Sequence, residues 1–257
     1  MLADLFRGSR EDAEAREVVH PLSQVSSLAA SRSEARSASV ALASRPEIHI
    51  IAEIKRRSPS KGSLAVIPDP VSLALEYEAG GASIISVLTE SRGFGGSLDD
   101  LEAVSDAVRI PVLRKDFIST EYQVVESRAR GADLLLLIMA GLDDKQARLL
   151  LTLTRELGME ALVETHDATE VARAVDLGAS IIGINARDLS TFELDKGLFG
   201  RLERMIPNTV VKVAESAVAT SQDVTHYREQ GAQAVLVGEA LVTGSDPRGR
   251  VREFVAA

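Results

Sequence analysis

Cysteine is absent from the chain of 257 residues. That excludes disulfides, a thiolate nucleophile and any cysteine-ligated metal. Long apolar runs are missing as well. The longest, Leu134–Ala140, falls far short of the ~20 residues that a membrane-spanning helix needs. The opening stretch, Met1–Arg16, mixes Asp4, Arg7, Glu11 and Arg16 and has no apolar core of the kind a secretory signal carries, so a cytoplasmic protein without membrane attachment is expected. Positive charge is in deficit, with a net charge of −9, which argues against nucleic acid as a partner. A few cations converging in one cleft still suffice to bind a small anion, because clefts focus the local field. The four histidines, His20, His49, His166 and His226, are scattered and suggest no metal cluster. His166, just after Glu164, reads as a surface or loop residue. No GxGxxG opens the first strand–helix turn, which weakens the case for a doubly wound dinucleotide fold.

Apolar residues make up 45% and charged residues 26% of the chain, ordinary for a globular protein with a full core. From about residue 48 onward, short runs rich in Val, Ile and Leu recur: Ile48–Ile54, Ser83–Thr89, Pro111–Arg114, Asp133–Met139, Ala161–Glu164, Ile181–Asn185, Val210–Ala214 and Ala234–Val237. Runs of this kind are the signature of parallel strands covered on both faces. Amphipathic stretches lie between them: Val71–Ala79, Leu98–Val108, Thr120–Arg130, Asp143–Leu157, Ala168–Leu177 and Ser221–Glu229. Gly-Ala steps at 81, 131, 178 and 231 follow several of these stretches, as a helix stop repeated in each αβ unit would. Eight evenly spaced units in ~210 residues fit a (β/α)8 barrel. Residues 1–47 read as two helices, Ala3–Val19 and Ser26–Ser44, separated by Pro21. They are taken as an N-terminal helical extension of one domain spanning 1–257, with the barrel at 48–257.

Active sites of such barrels sit at the carboxyl ends of the strands. The first strand runs out in IIAEIKRRSPSKG, Ile50–Gly62. Side chains two apart on a strand share a face, so Glu53 and Lys55 point together, and Pro59 and Gly62 punctuate the loop that follows. The third strand ends in Arg114, Lys115 and Asp116, then Phe117. The fifth ends in Glu164, the sixth in Asn185 followed by Arg187, the seventh in Glu215 and Ser216, and the eighth in Gly238 and Glu239. The second and fourth, ending in Thr89 and Met139, offer little chemistry. Ion pairs of this kind also occur for purely structural reasons, but polar groups at six strand ends favour a site. Loops after the last two strands commonly hold a phosphate in this fold. Gly238 permits close backbone approach, Ser216 offers a hydroxyl, and Lys55 and Lys61 add charge. Glu53, Lys115 and Glu164 then read as acid–base groups, with a lysine near other cations expected to have a lowered pKa.

The segments IIAEIKRRSPSKG, ISVLTESRGFGGSLDDL, PVLRKDFI, ALVETH, IIGINARDL, VAESAV and AVLVGEALV together resemble the indole-3-glycerol phosphate synthase family of tryptophan biosynthesis over nearly the whole chain. The resemblance implies a (β/α)8 barrel with no metal or organic cofactor. It implies a reaction in which 1-(2-carboxyphenylamino)-1-deoxyribulose 5-phosphate is cyclised to indole-3-glycerol phosphate with loss of carbon dioxide and water. On the family pattern, Lys115 is the general acid. Glu164 and Glu53 accept protons, and which of them is the main base stays open. Lys55 holds the anionic end of the substrate and serves as a second acid. Ser58, Asn185 and Arg187 contact substrate, Phe94 and Phe117 pack on the anthranilate ring, and Glu215, Ser216, Ala217, Gly238 and Glu239 bound the phosphate end. Two positions depart from the family: Ala217 stands where glycine is usual, and Glu239 where a small hydroxyl residue is frequent. The implied partner is a small anionic substrate. A monomer is expected, with association to other enzymes of the pathway left open. Two alternatives remain: a sibling phosphosugar barrel such as phosphoribosylanthranilate isomerase, whose usual cysteine base is lacking here, and a non-catalytic phosphometabolite-binding barrel.

Overall fold

The Val-, Ile- and Leu-rich runs form eight parallel strands, and these close into a barrel in which each strand pairs with its neighbours in the chain and the last returns to the first. They are β1 (His49–Ile54), β2 (Ile84–Leu88), β3 (Val112–Lys115), β4 (Leu134–Ile138), β5 (Glu160–Thr165), β6 (Ile181–Asn185), β7 (Val211–Glu215) and β8 (Ala234–Val237). The computed structural model describes residues 2–43, 47–59, 61–188, 191 and 193–257. Nearly every strand residue is buried, because helices cover the outside and packed side chains fill the inside.

The helices begin where short polar side chains take up orphan N–H groups. Asp69, Ser97, Thr120, Asp143, Asp167, Thr220 and Asp246 each accept a backbone N–H of the first turn, a contact typically worth about 1 kcal/mol. Four end as the Gly-Ala steps suggest. The glycines at 81, 131, 178 and 231 are left-handed, and the alanine after each donates its N–H back to the carbonyl of Tyr77, Ser127, Ala174 or Tyr227.

Two features depart from the sequence reading. The second N-terminal helix is not Ser26–Ser44. α1 (Leu2–Val19) is followed by α2 (Leu22–Ser31) and, after a non-helical stretch, a single turn at Ala38–Ala41. The break is a tertiary effect. Buried Asp133 accepts the Arg36 backbone N–H and the Arg36 Nε, both at 2.8 Å, while Glu160 accepts the Ser39 N–H at 2.7 Å. These bonds outweigh the weak helical preference of a Ser/Ala stretch. The helices Leu198–Leu202 and Pro247–Val255 were also not anticipated. The first is short and flanked by glycine. The second carries a legible start signal, Asp246 as cap with Pro247 at the first helical position.

The extension packs on the barrel through a small core of its own, with Ala13, Val25 and Ala29 against Tyr122, Val125 and Ala129. Phe6 of α1 meets Phe117 edge to face, ring centroids 5.5 Å apart. It fills space that any side chain at Gly141 would take, since a Cβ there would lie 1.9 Å from the Phe6 ring. α1 is thereby seated at the rim where the strands end. Among the described residues no helix is long and apolar enough to cross a membrane.

Candidate active site

Strand alternation decides which polar residues enter the barrel. At the end of β3, Lys115 points inward, while Arg114 and Asp116 on either side turn into the layer between barrel and helices, both buried. The Lys115 ammonium donates to Glu164 Oε2 at 2.9 Å and to Glu215 Oε2 at 2.6 Å. Register brings these together: Asn185 lies beside Glu215, and Glu164 beside Gly183, on adjacent strands. Gly183 is needed as glycine, because a Cβ there would come 2.1 Å from Glu215 Oε1. Asn185 donates its amide to Glu164 Oε1 at 3.1 Å. Glu53 lies buried at the end of β1 with Oε1 3.4 Å from Lys55 Nζ. Gly238 makes room for that carboxylate, since a Cβ at 238 would sit 2.5 Å from Glu53 Oε1.

This arrangement reverses the electrostatics expected for Lys115. Burial alone would pull its ammonium down, but the carboxylates of Glu164, Glu215 and Glu53 outweigh that and hold it above its ordinary value. The charges that act on it among the described residues are carboxylates, not the cations expected. The two glutamates on it are driven apart. Burial would raise Glu164, yet Lys115 and His166 hold it well below the usual carboxylate range. Burial raises Glu215, Lys115 draws it part of the way back and the nearby Glu164 pushes it up again, to about 8. Glu215 Oε1 has no hydrogen-bond partner among the described residues, so its negative form is held through Oε2 on Lys115 alone. One ionised and one neutral carboxyl flanking a single ammonium is the pattern that separates base from acid.

Above these groups lies an apolar wall. Phe94 and Phe117 stand 6.1 Å apart at a tilt of 41°, and Lys55 Nζ lies 5.6 Å from the Phe94 ring centre, within reach of a cation–π attraction. Leu2 and Leu5 of α1 and Leu88 of β2 complete the wall. Buried Glu90 organises the loop that presents Phe94, with its carboxylate accepting the N–H groups of Arg92, Gly93 and Phe94 at 2.9, 2.7 and 2.9 Å. Neither α1 nor Glu90 was expected at the site. The signal for Glu90 was a carboxylate standing directly before a glycine-rich loop.

A wider opening continues past the ends of β7 and β8, bordered by Lys61, Lys196, Ser216, Ala217, Gly238 and Glu239. Ser216 and Ala217 both adopt left-handed backbone, φ 69° and 58°. Glu239 opens a short helix and its carboxylate accepts from Lys61 Nζ at 2.5 Å, so it neutralises that lysine. Ser58, buried in a small hairpin of Arg57–Ser58 against Gly62–Ser63, accepts the Lys61 N–H at 3.3 Å. Arg187 lines both the apolar pocket and this opening. Glu215 is separate from this end, because its carboxylate belongs to Lys115. His166 is no surface residue. Its side chain is 13% exposed and its Nε2 lies 3.2 Å from Glu164 Oε1. Among the described residues no group of three or more His, Asp or Glu is placed to hold a metal ion.

The chain is similar to known proteins over nearly its whole length. Residues 2–254 match a family model described as indole-3-glycerol phosphate synthase. A protein of that name from Leifsonia xyli subsp. xyli is 57% identical over 99% of this chain and 97% of its own length. Another, from Beutenbergia cavernae, is 53% identical over 100% of this chain and 95% of its own. Among solved structures, a 3-hexulose-6-phosphate synthase superposes with a TM-score of 0.64 at 19% identity, covering 81% of this chain and 99% of that one. That likeness shows the fold alone.

Proposed function

The chain belongs to the indole-3-glycerol phosphate synthase family, enzymes of tryptophan biosynthesis, and from that premise we propose that it is a carboxy-lyase whose ring closure is driven by Lys115. The observation that carries this reading is a single ammonium held between Glu164 and Glu215 at the foot of an aromatic-lined pocket. The substrate's anthranilate ring lies against Phe94 and Phe117. As its carboxyl-bearing carbon attacks the sugar carbonyl, negative charge grows on the carbonyl oxygen. Lys115 neutralises that charge and delivers its proton once the charge has developed, a contribution typically of about 10²–10⁴-fold. Loss of carbon dioxide restores the aromatic ring. Glu164, the ionised member of the pair, is the main base for the dehydration that follows, with Lys55 as the second acid. Glu53 orients Lys55. Asn185, Arg187 and Ser58 contact the substrate's polar groups, and the phosphate lies by Lys55, Ser216, Ala217, Gly238 and the backbone at Glu239. The substrate is the small-molecule partner, and the site uses no cofactor.

The test is direct. Purified protein given 1-(2-carboxyphenylamino)-1-deoxyribulose 5-phosphate should generate indole fluorescence. No product at any enzyme concentration would favour a barrel that only binds a phosphometabolite.

Ala217 offers a second test. A left-handed alanine costs roughly 1 kcal/mol or more, and its methyl group borders the phosphate end. Ala217→Gly is expected to lower KM with kcat unchanged. Stability should move by less than ~1 kcal/mol, because relief of strain is offset by glycine's extra freedom in the unfolded chain. An unaltered KM in steady-state assays would dismiss crowding by the methyl group.

A further inference from the structure

Glu164 is gripped at both oxygens. Oε2 accepts from Lys115, and Oε1 faces Asn185 Nδ2 at 3.1 Å and His166 Nε2 at 3.2 Å. His166 follows β5 directly. Its Nδ1 lies 3.1 Å from Glu170 Oε2, and the same oxygen accepts the His166 backbone N–H at 2.8 Å. Glu170 sits in the first turn of the helix Ala168–Asp176, whose cap Asp167 accepts the Glu170 N–H at 2.8 Å. The imidazole is therefore fixed between two carboxylates, one in the barrel and one on the outer helix. Nδ1 is hydrogen-bonded to Glu170, whereas Nε2 meets Glu164 as a close charge contact without the alignment of a hydrogen bond. An imidazole with a carboxylate within 3.2 Å of each nitrogen is favoured as the imidazolium.

We propose that His166 is a positioning residue for Glu164: as an imidazolium it holds Oε1 while Lys115 holds Oε2, so the carboxylate keeps its charge and orientation when Lys115 releases its proton. This rests on the reading of Lys115 as acid and Glu164 as base. Without a second cation, the departure of the Lys115 proton would leave Glu164 buried beside Glu215 with only an amide to steady it. Burial by itself would lower the imidazole, but Glu164 and Glu170 push it up to about 10, so the clamp is charged through the neutral range. The charged and titrating groups facing Glu164 are Lys115 from β3, Glu215 from β7 and His166. Those facing His166 are Glu164 and Glu170.

Two measurements on the intact protein decide the matter. Imidazole resonances, with His166 identified by its loss in His166→Gln, should show His166 protonated beyond pH 9. In Glu164→Gln and in Glu170→Gln its titration should move down by at least one pH unit. In the kinetics, His166→Gln should keep KM within about twofold, lower kcat about tenfold at neutral pH, and move the acid limb of kcat/KM up by about one unit. Should His166→Gln not fold, Glu170→Gln carries the same kinetic test with a smaller shift. A wild-type imidazole titrating near its ordinary ~6.5, or an acid limb left at the wild-type position, overturns the proposal. Glu164→Gln separates the layers. If it stays active, the base assignment falls and this inference with it. If it is inactive while His166→Gln leaves the acid limb unmoved, only the inference falls.

Discussion

Lys115→Met is expected to abolish turnover while leaving a folded but weakened protein. A positioned general acid contributes about 10²–10⁴-fold in rate, and a methionine of similar length keeps the packing while removing proton and charge. The thermodynamic effect has a definite pH signature. In the wild type Glu164 is held well below its ordinary range by Lys115. Its folded pKa lies under its unfolded one, so it adds stability above the unfolded value, and that stability is lost as pH falls through the folded value. Glu215 runs the other way. Its pKa is raised to about 8, so its contribution favours the fold below the unfolded carboxylate value and disappears as pH rises through about 8. Removing the ammonium leaves two buried carboxyls facing each other. Breaking one partner out of a buried pair costs roughly 3–5 kcal/mol. The cost should be full near pH 8, where both glutamates are pressed to ionise, and should shrink toward pH 5 as they take up protons. Urea midpoints measured across that range, together with single-turnover assays, give the answer. Wild-type activity in this variant would remove Lys115 from the chemistry.

Arg114→Met is expected to give a comparable loss of stability. Arg114 is fully buried, and its guanidinium donates to Thr89 Oγ1 at 3.1 Å, to the Gln123 carbonyl and Glu126 Oε2 at 3.0 Å, to Ser127 Oγ at 3.2 Å and to Asp116 Oδ2 at 3.0 Å. α1 is tied to the same cluster, through Ser9 on Asp116 and Arg16 on Glu126 at 2.6 and 2.9 Å. The substitution strands Asp116 beside two hydroxyls with no cation of its own, whereas Glu126 keeps Arg16. The expected cost is about 3–5 kcal/mol, a large part of the ~5–15 kcal/mol that holds a typical domain together. In the wild type, burial would raise Asp116, but Arg114 with Ser9 and Thr89 keeps it lowered. Its stabilisation is therefore present above the ordinary carboxylate value and fades as acid is added. The Arg114→Met loss should be greatest at neutral pH and smaller near pH 4. Asp116→Asn in the Arg114→Met background should restore stability, since an amide replaces the stranded charge. A loss below ~1 kcal/mol at pH 7, or no recovery in the double variant, would show that the cluster contributes nothing net.

Much of this protein was legible without coordinates because its signals are local. Val/Ile/Leu runs, an oxygen side chain at seven helix starts and a Gly-Ala step at four helix ends act over a few residues, so the eight strand–helix units can be read in order. The inward residues followed from the same logic: once the strand ends are known, alternation selects Glu53, Lys115, Glu164 and Asn185. Applied more strictly, it would also have turned Arg114 and Asp116 outward.

What only the closed barrel decided are the partnerships among those residues. Glu215 reads from its neighbours as part of an anion-binding turn, yet closure and register aim it at Lys115, 100 positions away in the chain. The raised pKa of that lysine follows from this, because an ammonium's pKa depends on which charges surround it in space. His166 looks exposed in a loop, but the turn after β5 folds it back onto Glu164. Leu2 and Leu5 carry no chemical signal and enter the pocket wall only because Phe6 seats their helix on Phe117. The chain alone thus determined which groups stand at the rim. The three-dimensional closure decided which of them touch, and with that which carboxyl is charged, since Coulombic and desolvation energies depend on distance and burial, not on order along the chain.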